Sequence, residues 1–238
     1  MKKLMITGLV LALTLASCTQ PKAQQPASAD NSSSLALKMK EVEQQSAPAF
    51  NEFEKVYANY AKAMESGDQT TAKSLEPQLE TLYGAFTSIR DSLLRAHVYG
   101  QPFVDLTMNN LEGKSVKLSD WAGNGKYVLV DFWASWCGPC RQEMPNVKAN
   151  YEKYKEKGFE VVGVSFDSKA DEWKSAVAEM GMEWPQMSDL KGWESEGAKE
   201  YSITSIPANV LLDKEGKIAG VDLRGDALGA RLKEIFGF

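Results

Sequence analysis

Residues 127–146 read YVLVDFWASWCGPCRQEMPN, and the change of pattern inside this stretch decides the fold. Its first half is apolar and rich in Val, Phe and Trp, as a central strand covered on both faces should be. At Cys137 the pattern turns helical. A strand that feeds a CxxC at the first turn of a helix sets the leading sulfur among backbone N–H groups without intrahelical partners, at the positive end of the macrodipole. That position favours thiolate over thiol, so Cys137 is the expected nucleophile. Residues three apart share a helix face with Cβ atoms about 5–6 Å apart. Modest tightening of the turn reaches disulfide distance, which makes Cys140 the expected resolving thiol. Pro139 suits a first helical turn because its missing N–H had no partner there, and Gly138 leaves Cys137 sterically open.

Other uses of the pair fare worse. A structural zinc site needs four ligands, and the chain has only one further cysteine, Cys18, and one histidine, His97. No metal is expected, and a lone His97 reads as structural. A purely structural disulfide over so short a loop would constrain the unfolded chain little. Redox chemistry remains, and it needs no cofactor beyond the two sulfurs. Asp131 is the one charged residue in the apolar strand. A carboxylate buried there loses solvation, so its pKa should rise to where it exchanges protons near neutrality, and it becomes the candidate acid and base for Cys140. The competing reading is an Asp that caps a backbone turn.

DFWASWCGPC, with the acid six positions before the first cysteine and Pro145 eight after it, resembles thioredoxin. The span from about Gly100 to Phe238 resembles the membrane-anchored thioredoxin-like family typified by TlpA and ResA. The resemblance implies an α/β fold, a thioredoxin-like mixed sheet flanked by helices, and thiol–disulfide exchange with protein substrates. It matches Asp131 to the buried aspartate of thioredoxins. It matches Pro207 to the cis-proline that faces the CxxC, with Ile206 offering its backbone to a client strand, and places Trp136, Gly138 and Pro139 around the docking surface. Gly138–Pro139, Asp131 and Ile206 match the reducing members, so protein-disulfide reduction is the implied direction. An oxidase or isomerase would carry the same residues, and a non-enzymatic interaction lipoprotein is the remaining alternative. A peroxidase would need Pro and Thr/Ser upstream of its cysteine, which Ala134–Ser135 does not provide. Thioredoxins also place a lysine beside the buried carboxylate, whereas residues 159–166 contain none. Glu160 or ordered water is the expected substitute.

The N-terminus bears on location. Lys2 and Lys3 precede an apolar run from Leu4 to Ala16, shaped like a signal peptide and too short to span a bilayer. Leu15-Ala16-Ser17-Cys18 resembles a bacterial lipobox, in which the cysteine becomes the acylated N-terminus; cleavage near Ala16 as a plain signal peptide is the alternative. The following Pro-, Ser- and Gln-rich residues read as a flexible tether. The expected anchor is lipid alone, and the expected location is the cell envelope, facing the periplasm or the exterior. A reductase there would need a membrane dithiol donor for its electrons. A net charge of −5 without a basic run argues against nucleic acid as a partner.

Residues 35–99 are patterned as helices. Phe50, Phe53, Tyr57, Tyr60 and Met64 form one apolar seam and Leu75, Leu79, Leu82, Phe86, Ile89 and Leu93 another. Gly67–Asp68 supplies a C-cap and then an N-cap between two antiparallel helices. A shorter helix is expected before Pro48, and Pro77 is expected to start or kink the second long one. The expected order is a leader at 1–17, a lipidated tether at 18–34, a helical hairpin region at 35–99 and a thioredoxin-like domain at 100–238. In that last part a β-hairpin should precede the central strand, Trp193 to Tyr201 should be a helix, and Asp226 should cap the final one.

Overall fold

The computed structural model describes residues 18–19 and 34–238. The expected leader, residues 1–17, and tether residues 20–33 lie outside the described residues. The described chain divides into two compact units, Leu37–Val98 and Tyr99–Phe238, the second also taking in residues 18–19 and 34–36. Within the second unit, Cys18–Thr19 form a short strand, β1.

Two helices, α1 (Ser34–Ser66) from residue 37 onward and α2 (Gln69–His97), make up the first unit. Their apolar seams meet: Phe50 lies 5.0 Å from Phe86 and Phe53 lies 5.5 Å from Tyr83, ring centre to ring centre. Phe53 and Leu79 are fully buried. The turn forms as its residues dictate. Gly67 takes a φ of 76°, and the Asp68 carboxylate accepts the Thr71 N–H at 3.0 Å. Pro48 behaves differently from expectation, and Pro77 does not start its helix. α1 runs unbroken through Pro48, and Pro77 lies inside α2, whose start is set by Asp68. A mid-helix proline costs about 3 kcal/mol. Val42 and Phe53, both buried on either side of Pro48, each return a comparable amount, about 1.5–3 kcal/mol, by staying on one seam.

The second unit begins with an antiparallel hairpin, β2 (Thr107–Asn109) and β3 (Ser115–Lys117). The chain continues as β4 (Tyr127–Trp133), α3 (Gly138–Tyr154), β5 (Phe159–Ser165), α4 (Ala170–Met180), β6 (Gln186–Met187), α5 (Glu196–Glu200), β7 (Ser205–Ile206), β8 (Ala208–Leu212), β9 (Ile218–Val221) and α6 (Asp226–Phe236). The main sheet has the order β6-β5-β4-β8-β9; β4, β5 and β6 are parallel, and β8 and β9 antiparallel. This is the expected thioredoxin-like mixed sheet. β4 lies in the middle, and Val128 to Trp133 are all buried, which is why its sequence shows no polar alternation. Gly158, in the left-handed conformation at φ 96°, closes the turn that follows α3 and releases the chain into β5.

Two local expectations are corrected. Residues 193–201 are not one helix: a 3₁₀ turn ends at Glu194, and Ser195 then caps α5 by accepting the Gly197 N–H. Asp226 is the first residue of α6 rather than its cap, because Gly225 precedes it at φ 53° and donates its N–H to Glu143. The tether reading did not anticipate β1, which pairs antiparallel with β7. β7 lies outside the main sheet, and β1 is its strand partner. No helix among the described residues is long and apolar enough to cross a membrane.

Candidate active site

β4 delivers the chain to α3 through Ala134–Ser135–Trp136, and Cys137 is the N-cap of α3. Its sulfur accepts the Cys140 N–H at 3.2 Å, one of the amides that a helix start leaves open. Cys137 and Cys140 form a disulfide with their Cα atoms 5.3 Å apart, as the spacing predicted. Pro139 occupies the first helical turn. The Cys137 sulfur also lies 3.8 Å from the carbonyl oxygen of Ile206, and the Ile206–Pro207 bond is cis. Cys137, Cys140, Ile206 and Pro207 are therefore brought together at one end of the sheet.

Gly138 is exposed, yet Cys137 has no exposed surface at all. The expectation that a neighbouring glycine would leave the sulfur open is not met. Trp136 is 46% exposed beside it, with its ring 6.2 Å from Trp193, which in turn lies edge-on to Phe166 at 5.5 Å. Trp133 is buried and donates its indole N–H to Gln186 at 3.2 Å, while Phe132 packs on Phe166 and Tyr201.

Asp131 sits in β4 with Gly163 of β5 in register on one side and Asn209 of β8 on the other. It is nearly fully buried. Burial, reinforced by the negative charge of Glu143, pushes its carboxyl up to about 7. Thus the carboxyl is poised near neutrality, as the sequence implied. The expected substitute for the missing lysine is corrected. Glu160 pairs with Lys126 at 3.2 Å and lies in register with Val128, three residues down the strand, about 10 Å away. The charge that acts on Asp131 is Glu143. Glu143 is half-buried and held by the Asn146 side chain at 2.6 Å and the Gly225 N–H at 2.8 Å. Arg141 is engaged with Glu179 at 2.7 Å.

Asp167 is the main residue that sequence reasoning missed. It is fully buried at the end of β5 and accepts the N–H and hydroxyl of Ser135 and the hydroxyl of Ser165. Ser135 is two residues before Cys137, so this carboxylate fixes the loop that aims the disulfide. Its only signal in the sequence is an acid directly after an apolar strand, which is also the signature of an ordinary loop. Asp167→Ala leaves the Ser135 amide and two hydroxyls without an acceptor. At about 1–3 kcal/mol per stranded buried donor, the variant should lose about 3 kcal/mol in urea unfolding, and a loss below the measurement error would remove Asp167 from this role.

As an ensemble, the site can break and remake a disulfide at a helix N-terminus and move a proton at a carboxyl balanced near pH 7. Comparison with known proteins agrees with this chemistry. The AhpC/TSA family profile matches residues 99–221. The thiol-disulfide oxidoreductase ResA of Bacillus cereus is 32% identical over 154 residues, covering 65% of this chain and 83% of that protein. The thioredoxin-like protein YneN of Bacillus subtilis is 35% identical over 125 residues, 51% of this chain and 69% of that one. Among solved structures, the thioredoxin domain of a thiol-disulfide oxidoreductase from Bacteroides vulgatus aligns at TM-score 0.54 and 37% identity, covering 58% of this chain and 98% of that one. A thiol-disulfide oxidoreductase from Bacteroides fragilis aligns at TM-score 0.54 and 34% identity, covering 57% and 99%. The similarity to the solved structures thus spans little more than half of this chain.

Proposed function

The chain belongs to the AhpC/TSA family, and from that premise we propose that this thiol–disulfide oxidoreductase reduces disulfides in partner proteins while anchored by lipid at Cys18 in the cell envelope. One observation carries the reading: a Cys137–Cys140 disulfide at the start of α3, with the leading sulfur against the Ile206 carbonyl. In the reduced enzyme the Cys137 thiolate attacks one sulfur of a client disulfide, and the other client sulfur leaves as thiolate and takes a proton. Cys140, its proton passing to Asp131, then attacks Cys137 and expels the second client sulfur. Two electrons have moved to the client, and the Cys137–Cys140 disulfide is the product. Ile206 and Pro207 hold the client strand, with Trp136, Gly138 and Pro139 shaping the surface around it. No cofactor or metal enters these steps. The oxidised pair is returned to dithiol by a membrane donor on the same side, and the leader at 1–17 with a tether at 18–34 delivers the catalytic domain there.

The direction follows from the Gly138–Pro139 dipeptide and Asp131, which are shared with reducing thioredoxins. A glutathione redox titration of the Cys137–Cys140 couple tests it. The expected potential is in the range of thioredoxin, about −270 mV, and a value near that of a strong oxidant, about −120 mV, would overturn the reductase reading. Labelling with radioactive palmitate in a bacterial host tests the anchor: incorporation into the parent and none into Cys18→Ala is expected.

A further inference from the structure

The edge proposed to receive clients is already occupied by this chain. β1 pairs antiparallel with β7, with Cys18 opposite Ile206 and Thr19 opposite Ser205. Ile206 is the residue whose carbonyl meets the Cys137 sulfur at 3.8 Å. Both Ile206 and Cys137 have no exposed surface. In the disulfide form seen here the leading sulfur has nothing exposed, which is unusual for an atom that must meet another protein in either redox state, because exposure governs sulfur reactivity. A strand laid along Ser205–Ile206 also takes the main-chain groups through which an extended client would add itself to the domain.

We propose that residues 18–19 are an internal stand-in for the client strand, which holds the Cys137 site closed until a client or the membrane removes it. The proposal rests on the reading of Ile206 as the client edge. The occupant is specific: it is an extended, antiparallel segment of the same chain, in a register that sets residue 18 across from Ile206. Two residues of ladder make only a couple of backbone hydrogen bonds, so the closed state is favoured by roughly tenfold, enough to slow reaction and weak enough for a longer client strand to displace. Covalent connection gives the segment an advantage over free peptides at the same edge. Cys18 is also the proposed acylation site. Its acylation would commit that residue to the bilayer, so the closed arrangement belongs to the unacylated chain, and anchoring and opening become one event.

The test uses the full unacylated chain, reduced, in three forms: the parent, Cys18→Ser, which keeps the strand backbone, and a Cys18→Pro/Thr19→Pro double variant, which removes both amide donors of β1. Two rates are read: iodoacetamide alkylation of Cys137, followed on its peptide by mass spectrometry, and reduction of a synthetic peptide disulfide. The expected result is a roughly tenfold rise in both rates for the double proline variant, with Cys18→Ser behaving as the parent. Unchanged rates in all three would overturn the stand-in strand and leave the reductase reading intact. Faster alkylation without faster peptide reduction would show that β1 covers the sulfur but does not compete with clients, which overturns both the proposal and the Ile206 edge. A second measurement does not depend on proline: in the parent, the backbone amides of Cys18 and Thr19 should exchange with solvent roughly tenfold more slowly than those of an unpaired chain, and exchange at the unpaired rate would also count against the inference.

Discussion

Cys137→Ser is expected to lose disulfide-exchange activity by at least about a thousandfold, whereas Cys140→Ser should hold its clients as mixed disulfides. The asymmetry follows from position. Cys137 caps the helix, its sulfur takes an amide hydrogen bond, and it sits at the Ile206 carbonyl. Cys140 lies one turn down the helix, away from its N-cap position. Without Cys137 there is no nucleophile at the client edge; without Cys140 the first displacement still runs, but nothing expels the second client sulfur. Neither change should unfold the protein, since a disulfide over so short a loop adds little stability. Turnover of a peptide disulfide measures the first effect, and recovery of proteins covalently linked to Cys140→Ser from envelope fractions measures the second. If Cys137→Ser preserved the cellular role in full, the chain would be acting as a binding lipoprotein, and the α1–α2 unit would carry its function.

Much of this site could be read in the sequence because its parts are local. The apolar run of β4, the CxxC that follows, and the proline of the first turn lie within fifteen residues and constrain one another. Asp131 was legible for the same reason: a single acid in a strand that must be buried has few explanations. Glu143 and Asp167 were not legible because their partners are distant in sequence. Glu143 is fixed by Gly225 and acts on Asp131, while Asp167 holds Ser135 from 32 residues away. Helical periodicity near Pro48 misled for a related reason. The local cost of a proline is visible in sequence, but the burial of Phe53 that helps offset it depends on α2, where Tyr83 packs against it. β1 was the least foreseeable element, since an edge strand pairs through backbone, which leaves no pattern in side-chain identity.

Asp131→Asn is expected to change both the stability profile and the rate profile with pH. In the unfolded chain this carboxyl titrates near 3.8, and in the oxidised native protein near 7. Between those values the native state keeps a proton that the unfolded state has lost, so stability falls as pH rises through the interval and levels off above about 7. At 1.36 kcal/mol per unit the full span is about 4 kcal/mol, a large share of a typical domain's stability. Asparagine carries no such charge. Urea unfolding of oxidised protein from pH 4 to 8.5 should therefore show the parent losing up to about 4 kcal/mol that the variant keeps, with the variant the more stable at pH 8. Parallel curves would place Asp131 outside the low-polarity interior that burial assigns it. The catalytic consequence has the opposite sign. Asparagine cannot take the Cys140 proton, so resolution of the mixed disulfide should slow by about a hundredfold at pH 7, the ordinary worth of a positioned base. The inflection near pH 7 should vanish, and the gap should narrow at alkaline pH where Cys140 ionises without help. Glu143→Gln provides the check on cause: removing the second negative charge should shift the parent's inflection to lower pH while leaving it present.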